Sequence, residues 1–99
     1  MTPEISARLD SARIQLAAQA REYSLFVREN CMALVRAGEG GFTSIGSSGM
    51  ITDSGLAYLL WREGRPVLSS HGGNESPATP EQVDAIANFA QDLKNALCL

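Results

Sequence analysis

The chain has 99 residues, of which 44% are hydrophobic and 19% are charged, and its net charge is −3. This length predicts one domain, residues 1–99, with a composition typical of globular rather than disordered chains. The acidic balance argues against nucleic acid and anionic membranes as partners, because both favour clustered basic side chains and Lys94 is the only lysine. No apolar run approaches the roughly 20 residues of a membrane-spanning helix.

The first residues and the cysteines bear on location. The chain opens without a basic segment followed by an apolar one, so we expect no secretory signal and a cytoplasmic address. Cys31 and Cys98 belong to no CxxC or histidine-containing pattern. This spacing favours two free thiols in a reducing compartment, and a disulfide between them is the alternative.

The N-terminal third predicts a long amphipathic helix. Residues 2–4, Thr-Pro-Glu, supply a capping hydroxyl, a proline suited to the first turn and an acid. Apolar residues then recur every three or four positions, at Ile5, Leu9, Ala12, Leu16, Ala20 (or Gln19), Tyr23 and Val27. Typical helix lengths favour an end near Asn30, after which residues 31–36 form the first strand. The alternative is a helix that continues to Arg36 and stops before Gly38.

The middle of the chain predicts an antiparallel meander, because short apolar stretches alternate with glycine-containing turns. Its clearest hairpin has strands over Leu56–Trp61 and Pro66–Ser70. A type I turn over Arg62–Glu63, with Gly64 in the left-handed region, would join them. In that register Leu59 faces Val67 and Tyr58 faces Leu68, so both faces of the hairpin carry apolar side chains and both need cover or a partner.

A second helix is predicted from Thr79 to about Leu97, because Thr79 and Gln82 have the spacing of a capping box. Its expected buried stripe is Val83, Ile86, Phe89, Ala90, Leu93 and Leu97. The predicted fold is therefore α+β and two-layered. A long N-terminal helix and the C-terminal helix pack together on one face of a central antiparallel meander of three or four short strands.

Few residues of the chain are candidates for catalysis or metal binding. His71 is the only histidine, and His-Gly-Gly is similar to the oxyanion loop of esterases, but no Gly-x-Ser-x-Gly elbow accompanies it. One histidine and two remote cysteines do not make a zinc site, and the loop Gly38–Gly41 lacks the Lys-Ser/Thr of a phosphate-binding loop. We therefore expect no cofactor, no metal and no catalytic residue.

The candidate binding residues cluster around the hairpin. Aromatic and arginine side chains anchor protein interfaces, and the hairpin carries both. The candidates are Tyr58, Trp61, Arg62, Arg65, His71 and Asn74. For Trp61 the alternative is a residue that covers the end of the core.

These features favour a small, non-catalytic interaction protein. Its partner would be another protein or a second copy, bound through the exposed sheet face or the N-terminal helix. The second hypothesis is a small-molecule-binding or sensory domain with a cavity lined by Met50, Leu60 and Phe89. The third is a small hydrolase-like enzyme that uses His71.

Overall fold

Along the chain, a short N-terminal helix is followed by a meander of seven antiparallel strands and then by a longer C-terminal helix. The computed structural model describes all residues, Met1–Leu99. The helices are α1 (Pro3–Ser11) and α2 (Pro80–Leu97), and the strands are β1 (Gln15–Ala20), β2 (Tyr23–Arg28), β3 (Cys31–Gly38), β4 (Gly41–Thr52), β5 (Gly55–Arg62), β6 (Arg65–Ser70) and β7 (Glu75–Pro77). The strands pair in sequence order, β1 to β7. The α+β class is confirmed, but the sheet has seven strands rather than three or four.

The first helix is only nine residues long. Arg13, just beyond it, has a φ of 61°. The Arg13 amide donates to the Asp10 carbonyl at 3.0 Å, and the Ile14 amide donates to the Leu9 carbonyl at 2.9 Å. These two bonds form the Schellman arrangement that ends a helix, built here with arginine where glycine is usual. Leu9 and Ile14 are both buried, as the hydrophobic contact of that motif requires.

The long N-terminal helix is therefore wrong in both of its versions, with an end near Asn30 or at Arg36. Residues 15–28 form the hairpin of β1 and β2 instead. The strand that was predicted for residues 31–36 is present as β3. Tyr23–Val27 is rich in aromatic and aliphatic residues that favour strands, and β3 pairs with it along its whole length.

Tight turns connect the strands of the meander. Five of the six strand connections are two-residue turns. The turn in the predicted hairpin is Glu63–Gly64, and both residues have positive φ, 52° and 78°. Positive φ at both positions is the type I′ pattern, which matches the right-handed twist of the strands better than the predicted type I turn.

The different turn moves the hairpin register by one residue. Leu59 faces Leu68 and Leu60 faces Val67, whereas the sequence predicted that Leu59 would face Val67. Tyr58 consequently faces Ser69 instead of Leu68. Because neighbours along a strand point to opposite faces, this shift decides which side chains share a face.

One hydrophobic core lies between the helices and one face of the sheet. Its members are Leu9 from α1, Ile14, six sheet residues (Phe26, Cys31, Ala33, Val35, Ala57 and Leu68) and five α2 residues (Ile86, Phe89, Leu93, Ala96 and Leu97). Helix α2 lies against β3 and β4, and α1 lies against α2, where Arg8 Nε donates to the Ala96 carbonyl at 2.9 Å. Both helices therefore cover the same face of the sheet.

Helix α2 begins as the sequence predicts. The Thr79 hydroxyl accepts from the Gln82 amide at 3.1 Å, and the Gln82 side chain accepts from the Thr79 amide at 2.9 Å. This reciprocal capping box satisfies two amides that the first helical turn leaves unpaired. Of the predicted stripe, Val83 and Ala90 are half-buried and the other four residues are buried.

Candidate functional site

The sheet face opposite the helices is apolar and has no helix over it. We call this surface the open face. Its residues are those that alternate along each strand with the residues facing the core. Its apolar members are Tyr23, Leu25, Val27, Met32, Leu34, Ile51, Leu56, Tyr58, Leu60, Val67 and Pro77. Tyr23 and Ile51 are among the most exposed large hydrophobic side chains of the chain, at 42% and 38%. Charged side chains of this face, such as Arg36 and Arg65, lie near the strand ends.

Met32 marks the middle of the open face. It is fully buried, yet it does not belong to the core under the helices. It lies in a row with Val27 on one side and Gly49 and then Tyr58 on the other. Because Gly49 has no side chain, Met32 and Tyr58 are the nearest side chains across that position. The open face is therefore packed by its own side chains at the centre and more exposed towards its margins.

An ion pair crosses the sheet at the side of the open face. Arg62 on β5 binds Glu75 on β7 through two nitrogens, with an Nη2–Oε2 distance of 2.8 Å and an Nε–Oε2 distance of 3.1 Å. These hydrogen bonds lower the pKa of the Glu75 carboxyl and raise the pKa of the Arg62 guanidinium. The pair also offsets the repulsion between Arg62 and Arg65, which face each other across the hairpin.

Removal of the Arg62 guanidinium should raise the pKa of Glu75. In Arg62→Met we expect the Glu75 carboxyl to titrate nearer its ordinary value, because the hydrogen bonds that favour the charged form are gone. The depressed pKa means that the pair stabilises the fold above the ordinary glutamate pKa and loses that effect as the pH falls through the lowered value. An NMR titration of the Glu75 side-chain carboxyl carbon measures it. Arg65→Met is the control, and an equal shift there would contradict this assignment.

The predicted binding residues do not lie together: they are divided between the two faces of the sheet and the turn between β6 and β7. Tyr58, Arg62 and Arg65 lie on the open face. Trp61 alternates to the helix side, opposite Pro66, where 59% of its surface is exposed at the end of β5. The combined aromatic and arginine cluster of the sequence prediction is therefore not formed, because Trp61 and Tyr58 point to opposite sides of the sheet.

His71 and Asn74 belong to the exposed turn between β6 and β7. Backbone bonds close this turn: the Ser70 amide donates to the Asn74 carbonyl at 2.8 Å, and the Gly73 amide donates to the Ser70 carbonyl at 3.0 Å. The Asn74 amide also donates to the Ser70 hydroxyl at 3.2 Å. The His71 side chain makes no hydrogen bond or ion pair within the chain, so no neighbouring group orients it.

Part of the open face comes from β2, which the sequence prediction placed in a helix, and from β3, which it made a strand in one version and helix in the other. Tyr23, Leu25 and Val27 lie on β2, and Met32 and Leu34 lie on β3. The signal that could have found them is the pair of runs YSLFV and CMALV, each five residues long and separated by polar residues. Such runs are typical of strands that are apolar on both faces.

Two clefts of the surface lie on the helix side. One of about 490 Å³ runs between α1 and α2, and another of about 500 Å³ lies beside it and includes Arg13, Arg28 and Cys31 in its lining. Burial raises the pKa of the Cys31 thiol, and both cysteines are free, so the alternative of a disulfide is not realised. The core is filled where a sheet–helix cavity was considered: Phe89 is fully buried, and Leu60 lies on the opposite face.

No group of three or more histidine, cysteine, aspartate or glutamate side chains is arranged to hold a metal ion. Neither helix has the length and apolar character needed to cross a membrane. The comparisons with known proteins add no relative: no family model, no curated protein and no solved structure matches the chain.

Proposed function

We propose that this chain is a small, non-catalytic interaction protein that binds a protein partner through the open face. The observation that carries the proposal is the apolar, helix-free side of the sheet. Large apolar patches on small monomeric proteins are uncommon and typically mark interaction sites. The cytoplasm is its proposed location, in keeping with two free thiols.

The total accessible surface supports an unfilled partner site. A monomeric protein of 10.6 kDa is expected to expose about 5,500 Å². This chain exposes 6432 Å², an excess of roughly 900 Å² over that scaling. The excess is close to the ~800 Å² that each partner buries in an interface of standard size.

The sheet face supports the proposal better than the N-terminal helix does. Helix α1 has nine residues, and its apolar residues Ile5 and Leu9 already pack against the core. The long unpartnered stripe that would have bound a partner does not exist, since the residues after Ser11 leave the helix. The open face thus carries the surplus apolar surface.

A small-molecule-binding domain is the second candidate. The feature that favours it is the polar cleft of about 500 Å³ at the end of α1. The cleft is wide open to solvent, and the guanidinium of Arg28 in its wall already binds Asp92 and the Ala12 carbonyl. A ligand there would have to compete with contacts that hold the helices to the sheet, so we rank this second.

Site-specific photo-cross-linking in the producing cell tests the proposal. A benzoylphenylalanine at Tyr58, on the open face, should give adducts with protein. The same group at Trp61, which is exposed on the opposite face, should give few. Both positions are aromatic and lie on one strand, so they form a matched pair. Equal adduct yields from Tyr58 and Trp61, or none from either, would reject the open face as the binding surface.

A further inference from the structure

We infer that the occupant of the open face is a second copy of this chain, and that two copies stack sheet against sheet around a two-fold axis. This rests on the proposed function, because it names the partner of the same surface. In such a pair the helices lie on the outside and the two open faces form one shared core.

The dimensions of the open face suit this arrangement. Seven strands at about 4.8 Å spacing make a sheet about 29 Å wide, and six residues at about 3.3 Å span about 20 Å along a strand. The projected footprint is roughly 580 Å², and the accessible surface of the side chains that stand on it is larger, which brings it towards the ~800 Å² per partner of a stable specific dimer. The roughly 900 Å² of excess surface is of the same size.

The shape of the open face also suits a partner with a broad, shallow surface. None of the four principal cavities is lined by an apolar residue of the open face. A small molecule or the anchor side chains of a bound helix need a concavity, whereas a sheet packs on another sheet over a broad, shallow surface about 10 Å away. The open face of a second copy is an apolar surface of this kind.

The chemistry of the open face is that of a self-associating surface. Its centre, around Leu34, Tyr58 and Leu60, has no charged side chain, and its arginines lie towards the strand ends. An apolar centre with charges at the margin is typical of homodimer interfaces. A two-fold axis presents the same residues from both sides, so an uncharged centre meets an uncharged centre and leaves no buried charge unpaired.

The edges of the sheet are poorer sites for association. Strand β7 is only three residues long and contains Pro77, which has no amide hydrogen to donate. Strand β1 is uncharged, but its pairing shifts between Leu16 and Ala18, where a bulge interrupts the ladder. Both features blunt strand addition, so we assign the contact to the face and not to an edge.

The experiment compares two neighbouring residues of β5 by sedimentation velocity and light scattering across a concentration series. The unaltered chain should have twice the mass of one 10.6 kDa chain. Leu60→Glu should weaken association about a hundredfold or more, because it places an uncompensated charge in the shared core. Trp61→Glu should leave association unchanged, although Trp61 is the more exposed residue.

A second variant guards against misfolding. Tyr23→Glu changes a margin residue of the open face that is 42% exposed; we expect this variant to fold and to associate about tenfold more weakly. If circular dichroism shows that Leu60→Glu is unfolded, Tyr23→Glu decides the matter. A monomeric unaltered chain would overturn the inference, as would a dimer that persists in folded Leu60→Glu and Tyr23→Glu variants. Cross-links from Tyr58 to a different protein would in that case leave the proposed function standing.

Discussion

We expect Gly49→Ala to lower the free energy of unfolding by about 3 kcal/mol or more, a large part of the stability of a domain of this size. A Cβ at this position would lie 1.9 Å from the Ala57 carbonyl oxygen and 2.8 Å from the Tyr58 Cα. Both atoms belong to the backbone of β5, so no side-chain rotation can relieve the clash. Strands β4 and β5 would have to separate, which breaks the pairing in the middle of the sheet. Urea denaturation followed by circular dichroism measures the loss.

Gly46→Ala is the matched control on the same strand. Its nearest atom would be the Leu34 carbonyl oxygen at 3.4 Å, an ordinary contact. Replacing a strand glycine by alanine reduces the backbone entropy that folding removes, and we expect a change within about 0.5 kcal/mol or a slight gain. Equal stability of the two variants would show that β4 and β5 do not approach as closely at Gly49 as the structure has them.

The close approach at Gly49 also shapes the open face. A side chain there would separate Met32 from Tyr58, and the fully buried Met32 would lose the neighbours that cover it without help from a helix. The glycine therefore links strand pairing to the surface that we propose for binding. β4 is the central strand of seven, although the small residues of Thr43–Gly49 are more typical of a weakly specified or edge segment.

The sequence signals that predicted the structure well are those with a local chemical cause. The capping box at Thr79 and Gln82 is present because both partners lie within one helical turn. The hairpin at Leu56–Ser70 is present because Gly64 can adopt positive φ, and its strands are rich in β-favouring residues. The turn type, and with it the register, depended on whether Glu63 also adopts positive φ, which glutamate seldom does.

Positive φ at non-glycine residues also explains why the predicted N-terminal helix is absent. The chain reverses or leaves the helix at Arg13, Arg21 and Glu29, and all three have positive φ with no glycine to announce it. Each such residue costs about 1 kcal/mol or more relative to the right-handed region, and tertiary packing offsets that cost. Local propensity could not show this packing. The apolar positions Leu16, Ala20, Tyr23 and Val27 fall on two strands, and their spacing of three and four residues coincides with the period of a helix.

The site was predictable only in outline. An apolar surplus on both hairpin faces followed from the sequence, and Tyr58, Arg62 and Arg65 do lie on the open face. Trp61 lies on the other side because it is three positions from Tyr58 on one strand, and alternation places residues at odd spacing on opposite faces. The contribution of β2 depends on the strand that replaced the predicted helix, which is a consequence of non-local packing.

Arg28→Met should lower the free energy of unfolding by about 2 kcal/mol, because charge-assisted hydrogen bonds of a partly buried side chain are lost. Arg28 Nη1 donates to the Ala12 carbonyl at 3.0 Å and to Asp92 Oδ2 at 2.9 Å, and its guanidinium lies 5.5 Å from the centre of the Phe89 ring. One side chain on β2 thus caps the end of α1 and holds α2 to the sheet. Thermal and urea denaturation of the variant measure the effect.

Arg36→Met separates this role from the general loss of an arginine on a strand. The Arg36 side chain is 57% exposed and its ion pair with Glu22 is 3.9 Å long, so its removal should change the free energy of unfolding by no more than about 0.5 kcal/mol. Asp92→Asn should be intermediate, because it keeps a hydrogen-bond acceptor for Arg28 and leaves the bond to Ala12 intact. If Arg28→Met were no more destabilising than Arg36→Met, the helices would be held to the sheet by the apolar core alone. The Arg28 contacts would then be a consequence of the packing of α1 and α2 and not one of its causes.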